Sequence, residues 1–239
     1  MIQGSSMRSA AAALVRAKDQ FDVEGRNYVP GDWRERLVRR LKGFAPPSRG
    51  WTAVHPAKFV MQVLPFSLTY YDYDKMQPRD LDPQLIVSGT YNDYSPNAHF
   101  TPTAPTDVMD RSDRLATQEE KHHPNSPRVC RIGALPLYVA LEGKNRVELF
   151  KNAGRQMKAL VTDVSFPDAD QLTLHRSLPL GIYSVSYKGD RRVLPVPEAV
   201  LPLLEKYGVK TAKKPLFSLK DYFRLVEARQ NICRDQMMN

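Results

Sequence analysis

The residues with the clearest chemical potential lie between Leu137 and Val164, LYVALEGKNRVELFKNAGRQMKALVTDV. A hydrophobic strand runs directly into Glu142–Gly143–Lys144–Asn145–Arg146, and a helix begins at once. Gly143 permits a turn that residues with a Cβ resist. The unpaired backbone N–H groups at a helix start, with the helix dipole behind them, stabilise an anionic phosphate. Lys144 and Arg146 add positive charge, and the planar fork of Arg146 suits phosphate oxygens. Glu142, at the carboxyl end of the strand, and Glu148, in the first helical turn, are the two carboxylates that could hold a divalent metal or position a water. A plainer reading also accounts for them, because acidic groups near a helix N-terminus complement its dipole without doing chemistry.

The elements around this turn follow from pattern. Leu135–Leu141 reads as a strand, Val147–Ala153 as a short helix closed by Gly154, and Gln156–Val164 as a second strand. Ile182–Tyr187 alternates as a strand, and Lys188–Gly189–Asp190 turns into Arg192–Val196. Pro197–Tyr207 is a helix with Pro in its first turn and Gly208 just past its end, and Ser218 with Asp221 opens a last helix running to about residue 234. Earlier in the chain, residues 6–18 favour helix through their alanine run. In GDWRERLVRRLKGF, residues 31–44, Asp32 and Glu35 have capping-box spacing, Leu37, Val38 and Leu41 share a face, and Gly43 ends the helix. Its other face carries Arg34, Arg36, Arg39, Arg40 and Lys42, which is either a solvated face or a phosphate-binding stripe. Residues 58–73 have strand composition, residues 84–88 form another short strand, and residues 89–128 read as one long loop, functional or mobile. The order is mixed α and β, with a helical extension over 1–55, a main domain over 56–239 and a helical C-terminus.

The turn Gly143–Lys144–Asn145–Arg146, with the helix Val147–Ala153 and its closing Gly154, resembles the ParB/sulfiredoxin superfamily, whose members carry a strand, a Gly-x-x-Arg turn, a short helix and a strand. The resemblance implies an α/β (α+β) fold with a mixed sheet flanked by helices. It implies nucleotide-phosphate contacts at Gly143 and Arg146, and weaker ones at Lys144 and Asn145. Sulfiredoxins place a catalytic cysteine within this turn, where this chain has Lys144 and Asn145, so sulfinic acid reduction is not expected. Chromosome-partitioning members follow the turn with a helix-turn-helix reader, which the segment after residue 165 does not offer. The layout that remains is similar to the ParB-like nuclease and nucleotidase branch, and within it to the plasmid fertility inhibition factors. That likeness implies ATP hydrolysis and metal-dependent DNA cleavage, with ATP and Mg²⁺ as cofactors and Glu142, Arg146 and Glu148 as catalytic groups. The implied partners are DNA and the components or coupling protein of a type IV secretion system. The alternative is a non-catalytic inhibitor or a plain DNA-binding protein.

Composition agrees with a polyanionic partner. The 239 residues include 35 basic and 26 acidic side chains, for a formal charge of +9. Arg191, Arg192, Lys210, Lys213, Lys214 and Lys220 make the C-terminal third basic, as a DNA-phosphate surface or a solvated face. The two cysteines, Cys130 and Cys233, do not make a disulfide framework. No run reaches the roughly 18–20 apolar residues of a membrane span, so membrane insertion is not expected and cytoplasmic residence is. His122–His123, with His99 and Cys130, match no zinc spacing. Tyr70–Tyr71–Asp72–Tyr73–Asp74 reads as a strand end or a base-stacking run. Asp72, Asp74, Asp80 and Asp82 are carboxylates that nothing selects among.

Overall fold

The structure, a computed structural model, describes residues 2–29, 31–44, 53–67, 72–89 and 105–234. Among these residues the chain is a mixed α/β fold with seven α-helices and two mixed sheets. The first sheet has the order β1(Gln77–Leu81), β5(Met157–Val164), β3(Arg128–Ile132), β4(Tyr138–Glu142), β2(Ile86–Val87). β2 runs parallel to β4, and β3 parallel to β5, while β3 and β4 are antiparallel. The carboxyl ends of β2 and β4 therefore open on the same edge, where Gly143 follows β4.

That sheet is covered on both faces. Cys130, Ile132, Val139, Leu141 and Leu160 point into a core shared with α1(Ile2–Arg26), α3(Pro56–Val63) and α6(Pro197–Tyr207). Val129, Ala140, Ala159 and Val161 point the other way, onto Val147 and Phe150 of α5(Lys144–Ala153) and Met109 of α4(Pro105–Leu115). Two-sided burial explains why β4, with Val139, Ala140 and Leu141 in succession, reads as an apolar run. The second sheet joins β10(Leu216–Phe217), β6(Thr173–Leu178), β7(Ile182–Tyr187) and β8(Asp190–Val193), with β9(Lys210–Thr211) also paired to β6. The last helix is α7(Lys220–Arg234).

Most of the patterned second half forms as expected, with α6 spanning the predicted residues and Gly208 capping it at a φ of +108°, while the strand expected over Arg192–Val196 instead covers Asp190–Val193. Two expectations are corrected, and several strands went unread. Residues 58–63 belong to helix α3, not a strand, because Pro56 starts a helix and Phe59, Val60 and Val63 are buried at helical spacing. Residues 68–71 of that expected strand lie outside the described residues. The expected loop 89–128 contains helix α4, held by Asp110 and Asp113 on Arg155 at 3.0 and 2.9 Å. Strands β1, β3, β6, β9 and β10 went unread, since β1 is polar and edge-placed with Pro78 tolerated there, β3 carries Arg128 and Arg131, β6 sets only Leu174 and Leu178 among polar residues, and β9 and β10 have two residues each.

The N-terminal 55 residues contribute to the main core through Ala11, Leu14 and Val15 of α1 and through Val54, all fully buried. Helix α2(Trp33–Leu41) is capped as predicted, with Asp32 accepting from the Glu35 N–H at 2.9 Å. It ends in paired bonds from the Gly43 N–H to the Arg40 carbonyl and from the Phe44 N–H to the Arg39 carbonyl. Its apolar face does not enter the core, and Trp33, Leu37, Val38 and Leu41 are exposed. Polar anchors hold it instead, from the Tyr222 hydroxyl to the Leu41 carbonyl at 2.8 Å and from Arg229 to the Lys42 carbonyl at 2.7 Å.

Candidate functional site

Gly143 is the N-cap of α5 in left-handed conformation, with a φ of +75°. A Cβ there would lie 3.3 Å from Cα of Pro127, so both conformation and space select glycine. The Gly143 carbonyl accepts from the N–H groups of Arg146 at 3.0 Å and Val147 at 3.4 Å. No side chain caps the helix, which leaves the first-turn amides of Lys144 and Asn145 for an external acceptor. The Arg146 guanidinium folds back over the turn, its Cζ 3.8 Å from where a Gly143 Cβ would stand. Asn145 is exposed, and Glu142, Gly143, Lys144 and Arg146 are half-buried, so the corner opens to solvent. Strand β4 thus ends in a cationic, amide-lined corner at its carboxyl end, where a helix start suits an anion.

The two carboxylates part company. Arg146 and Glu148, two positions apart, leave α5 on different sides. Glu148 faces the charges of α1, and its carboxylate is 4.0 Å from Lys151 Nζ one turn along its own helix. Burial pushes its pKa up, and Asp19 adds to this while Lys151 opposes it. Lys151, itself buried, donates to Asp19 at 2.7 Å. Next to Asp19 on α1, Lys18 donates to Asp22 one turn on and, at 2.6 Å, to the Ser88 carbonyl just past β2. Asp22 also accepts from the Val54 N–H at 2.9 Å. Lys18 is fully buried, and that desolvation lowers its pKa against the pull of Asp22. This ionic cluster, Lys18–Asp19–Asp22–Glu148–Lys151, binds α1, α5 and the end of β2 together behind the corner. The sequence reading missed its α1 members. The signal was present, because Lys18 and Asp22 continue the buried stripe of Ala11, Leu14 and Val15.

Metal ligation divides similarly. Among the described residues no group of three or more His, Cys, Asp or Glu is placed to hold a metal ion. Mg²⁺ commonly takes only one or two carboxylates and completes its shell with substrate phosphates and water. Half-buried Glu142, at the end of β4, fits that use. Glu148 fits it less well, since a desolvated carboxyl favours its neutral form and a ligand must be ionised.

The residues predicted to contact DNA are spread across the second sheet. Arg191 and Arg192 lie on β8 and Lys210 on β9, at opposite edges of the second sheet with β6 and β7 between, about 14 Å apart by strand spacing. Arg191 makes a two-pronged ion pair with buried Asp221, at 2.6 and 3.0 Å, and Arg192 pairs with Asp190 at 2.9 Å. Ser177 also donates to Asp221. Lys210, Lys213, Lys214 and Lys220 are exposed. A cleft of about 610 Å³ between α3, β8 and α7 is lined by Arg191, Arg192 and Arg224.

The remaining candidates have local duties. Cys130 is buried in β3, which pushes its thiol pKa up to about 12. His123 accepts from the Asn125 N–H at 3.1 Å, and the His122 ring lies 5.5 Å from that of Tyr73. Asp72 and Asp82 each accept a backbone N–H two residues on, Asp74 pairs with Lys121 at 3.6 Å, and Asp80 is exposed. His99, Tyr70 and Tyr71 lie outside the described residues. No helix among the described residues is long and apolar enough to cross a membrane. No protein-family model, curated protein or solved structure matches this chain, so the likeness to ParB/sulfiredoxin proteins rests on the strand–turn–helix of residues 137–164 alone.

Proposed function

We propose that this chain is a ParB/sulfiredoxin-like nucleotide hydrolase that holds the phosphates of ATP at the corner formed by residues 142–146. The observation that carries the reading is the left-handed Gly143 at an uncapped helix start with Arg146 folded over it. In this reading the amides of Lys144 and Asn145 hold phosphate oxygens, and Arg146 and Lys144 neutralise the charge that builds on the γ-phosphoryl group. Water attacks the γ-phosphorus, the bond to the β-bridging oxygen breaks, and ADP leaves. Mg²⁺ would be held by Glu142 and would supply charge stabilisation on the phosphates. Glu142 also orients the water, and Glu148 acts as a positioning residue that fixes α5 through Lys151. The wider role that follows from the family likeness is plasmid fertility inhibition. There a cytoplasmic enzyme, also cutting DNA with a divalent metal, suppresses DNA transfer through a type IV secretion system.

Hydrolysis of ATP by the purified chain, with and without Mg²⁺, tests this. Arg146→Ala and Glu142→Ala should each lower kcat/KM by about 10- to 100-fold, or about 1.4–2.8 kcal/mol, while Glu148→Gln retains turnover. Undiminished hydrolysis in both the Arg146 and Glu142 variants removes the corner from the mechanism.

A second reading draws on the commitment of Glu148 to the ionic cluster, which leaves one carboxylate at the corner. The fold would then be a docking module, binding nucleotide to order itself while it blocks a secretion or coupling ATPase. A non-hydrolysable ATP analogue would raise the Tm without any turnover of ATP, and transfer inhibition would survive Glu142→Ala.

A further inference from the structure

Helix α2 buries none of its residues, yet it is firmly placed. Over Trp33–Lys42 it carries Arg34, Arg36, Arg39, Arg40 and Lys42 against the single acid Glu35. Between α2 and α7 lies a cleft of about 320 Å³, walled by Arg36, Arg39, Arg40, Tyr28, Phe44 and Gln230. No carboxylate lines it. The Arg39 guanidinium stacks 4.7 Å from the Tyr28 ring centroid and 5.9 Å from that of Phe44, and Arg229 lies 4.7 Å from Phe44 on its own account. A guanidinium held by its face against a ring adds positive charge to the cleft wall at a fixed place. Trp33, Arg36 and Arg40 follow i, i+3, i+7 and so form one stripe, and Trp33 is 63 % exposed.

We propose that the cleft between α2 and α7 is a binding site for a single nucleic-acid strand, with Arg36 and Arg40 holding phosphodiester groups, Arg39 adding fixed charge and Trp33, beside the cleft on the same stripe, stacking a base on the ring face opposite the Arg34 guanidinium. Interleaved arginines and aromatic rings are the features that bind single strands without reading sequence. The cleft has room for about one nucleotide, a scale typical of the smallest ligand pockets, and excludes a duplex from its interior. A membrane surface fits less well, because the arginines face the cleft while Leu37, Val38 and Leu41 face away from it. The site is separate from the corner at Gly143 and does not rest on the function assigned there.

The test is fluorescence anisotropy of a labelled oligothymidylate of roughly 12 nucleotides, within the usual site sizes, titrated with the full chain at several salt concentrations. Parallel titrations use a duplex of the same length and vesicles containing phosphatidylglycerol. The strand should bind more tightly than the duplex. The double variant Arg36→Ala, Arg40→Ala should weaken it about 10- to 100-fold and reduce the salt slope by about 1.4, at about 0.7 for each phosphate no longer neutralised. Trp33→Ala should weaken binding about tenfold, as removal of one stacking platform does, and leave the slope unchanged. These residues are exposed, so the thermal melts should match the parent. If a melt shifts, the Gln substitutions at Arg36 and Arg40 replace the Ala ones. Unchanged affinity and slope in the arginine variants overturns the proposal. So does tighter binding of the duplex, or binding of the vesicles with none of the strand.

Discussion

Lys151 Nζ lies 2.7 Å from Asp19 Oδ2, an ion pair across 132 positions of sequence that ties the helix following Gly143 to the first helix of the chain. Lys151 is almost fully buried and Asp19 mostly so, and a pair in that setting is not the weak ion pair of an exposed surface. Asp19→Ala leaves a buried ammonium without its main partner and should cost about 3 kcal/mol. A double-mutant cycle with Lys151→Met, read by urea denaturation, should give a coupling of about 1–3 kcal/mol. Additive single effects would show that α1 does not position α5.

Glu148 sets a pH dependence through the same cluster. Burial raises its folded pKa, so the folded state holds this proton more tightly than the unfolded one. Stability contributed by Glu148 is therefore full below the unfolded carboxyl value and falls as pH rises through the folded value. Glu148→Gln should flatten that part of the stability profile, measured by chemical denaturation at a series of pH values. A parallel profile in the variant would place the titration elsewhere.

Asp221 works in the opposite sense. Burial alone would raise its pKa, but hydrogen bonds from Arg191 and Ser177 outweigh this and hold the carboxyl below its ordinary value. Its contribution is present at neutral pH and is lost as pH falls below about 4, the unfolded carboxyl value, toward the folded one. Asp221→Asn should cost about 3 kcal/mol at pH 7, since Arg191 loses its charged partner under α7. The loss relative to the parent should shrink in acid. A constant difference down to low pH would contradict the assignment.

Gly143→Ala separates the turn from its charges. The left-handed φ and the close approach of Pro127 make any Cβ costly, by about 1–2 kcal/mol for the conformation alone. The variant should stay folded, with a lower Tm, and bind an ATP analogue at least tenfold more weakly in calorimetry. Intact affinity would mean that the backbone amides of this turn do not hold the phosphates.

Much of the scaffold around the corner was legible in the chain. Pro197 and Gly208 bracket α6, Asp32 caps α2, and Gly143 and Gly154 bracket α5, because caps and breakers act through neighbouring backbone and need no distant partner. The strand expected over residues 58–63 failed for the converse reason. Pro56 offers a local helix start, but Phe59, Val60 and Val63 suit either element, and it was their packing in the core shared with the first sheet that decided for helix.

The amino-acid order alone determined an α/β chain with a strand, a glycine turn and a basic helix start, since each of those depends on torsion preferences within a few residues. Tertiary structure decided which charges act together. Glu148 was set beside Lys151 and the charges of α1, Arg191 was drawn to Asp221, and Arg36, Arg39 and Arg40 of α2 were turned onto a cleft with α7. Electrostatic partnership depends on distance and desolvation between segments far apart in sequence, and neither exists until the helices have docked.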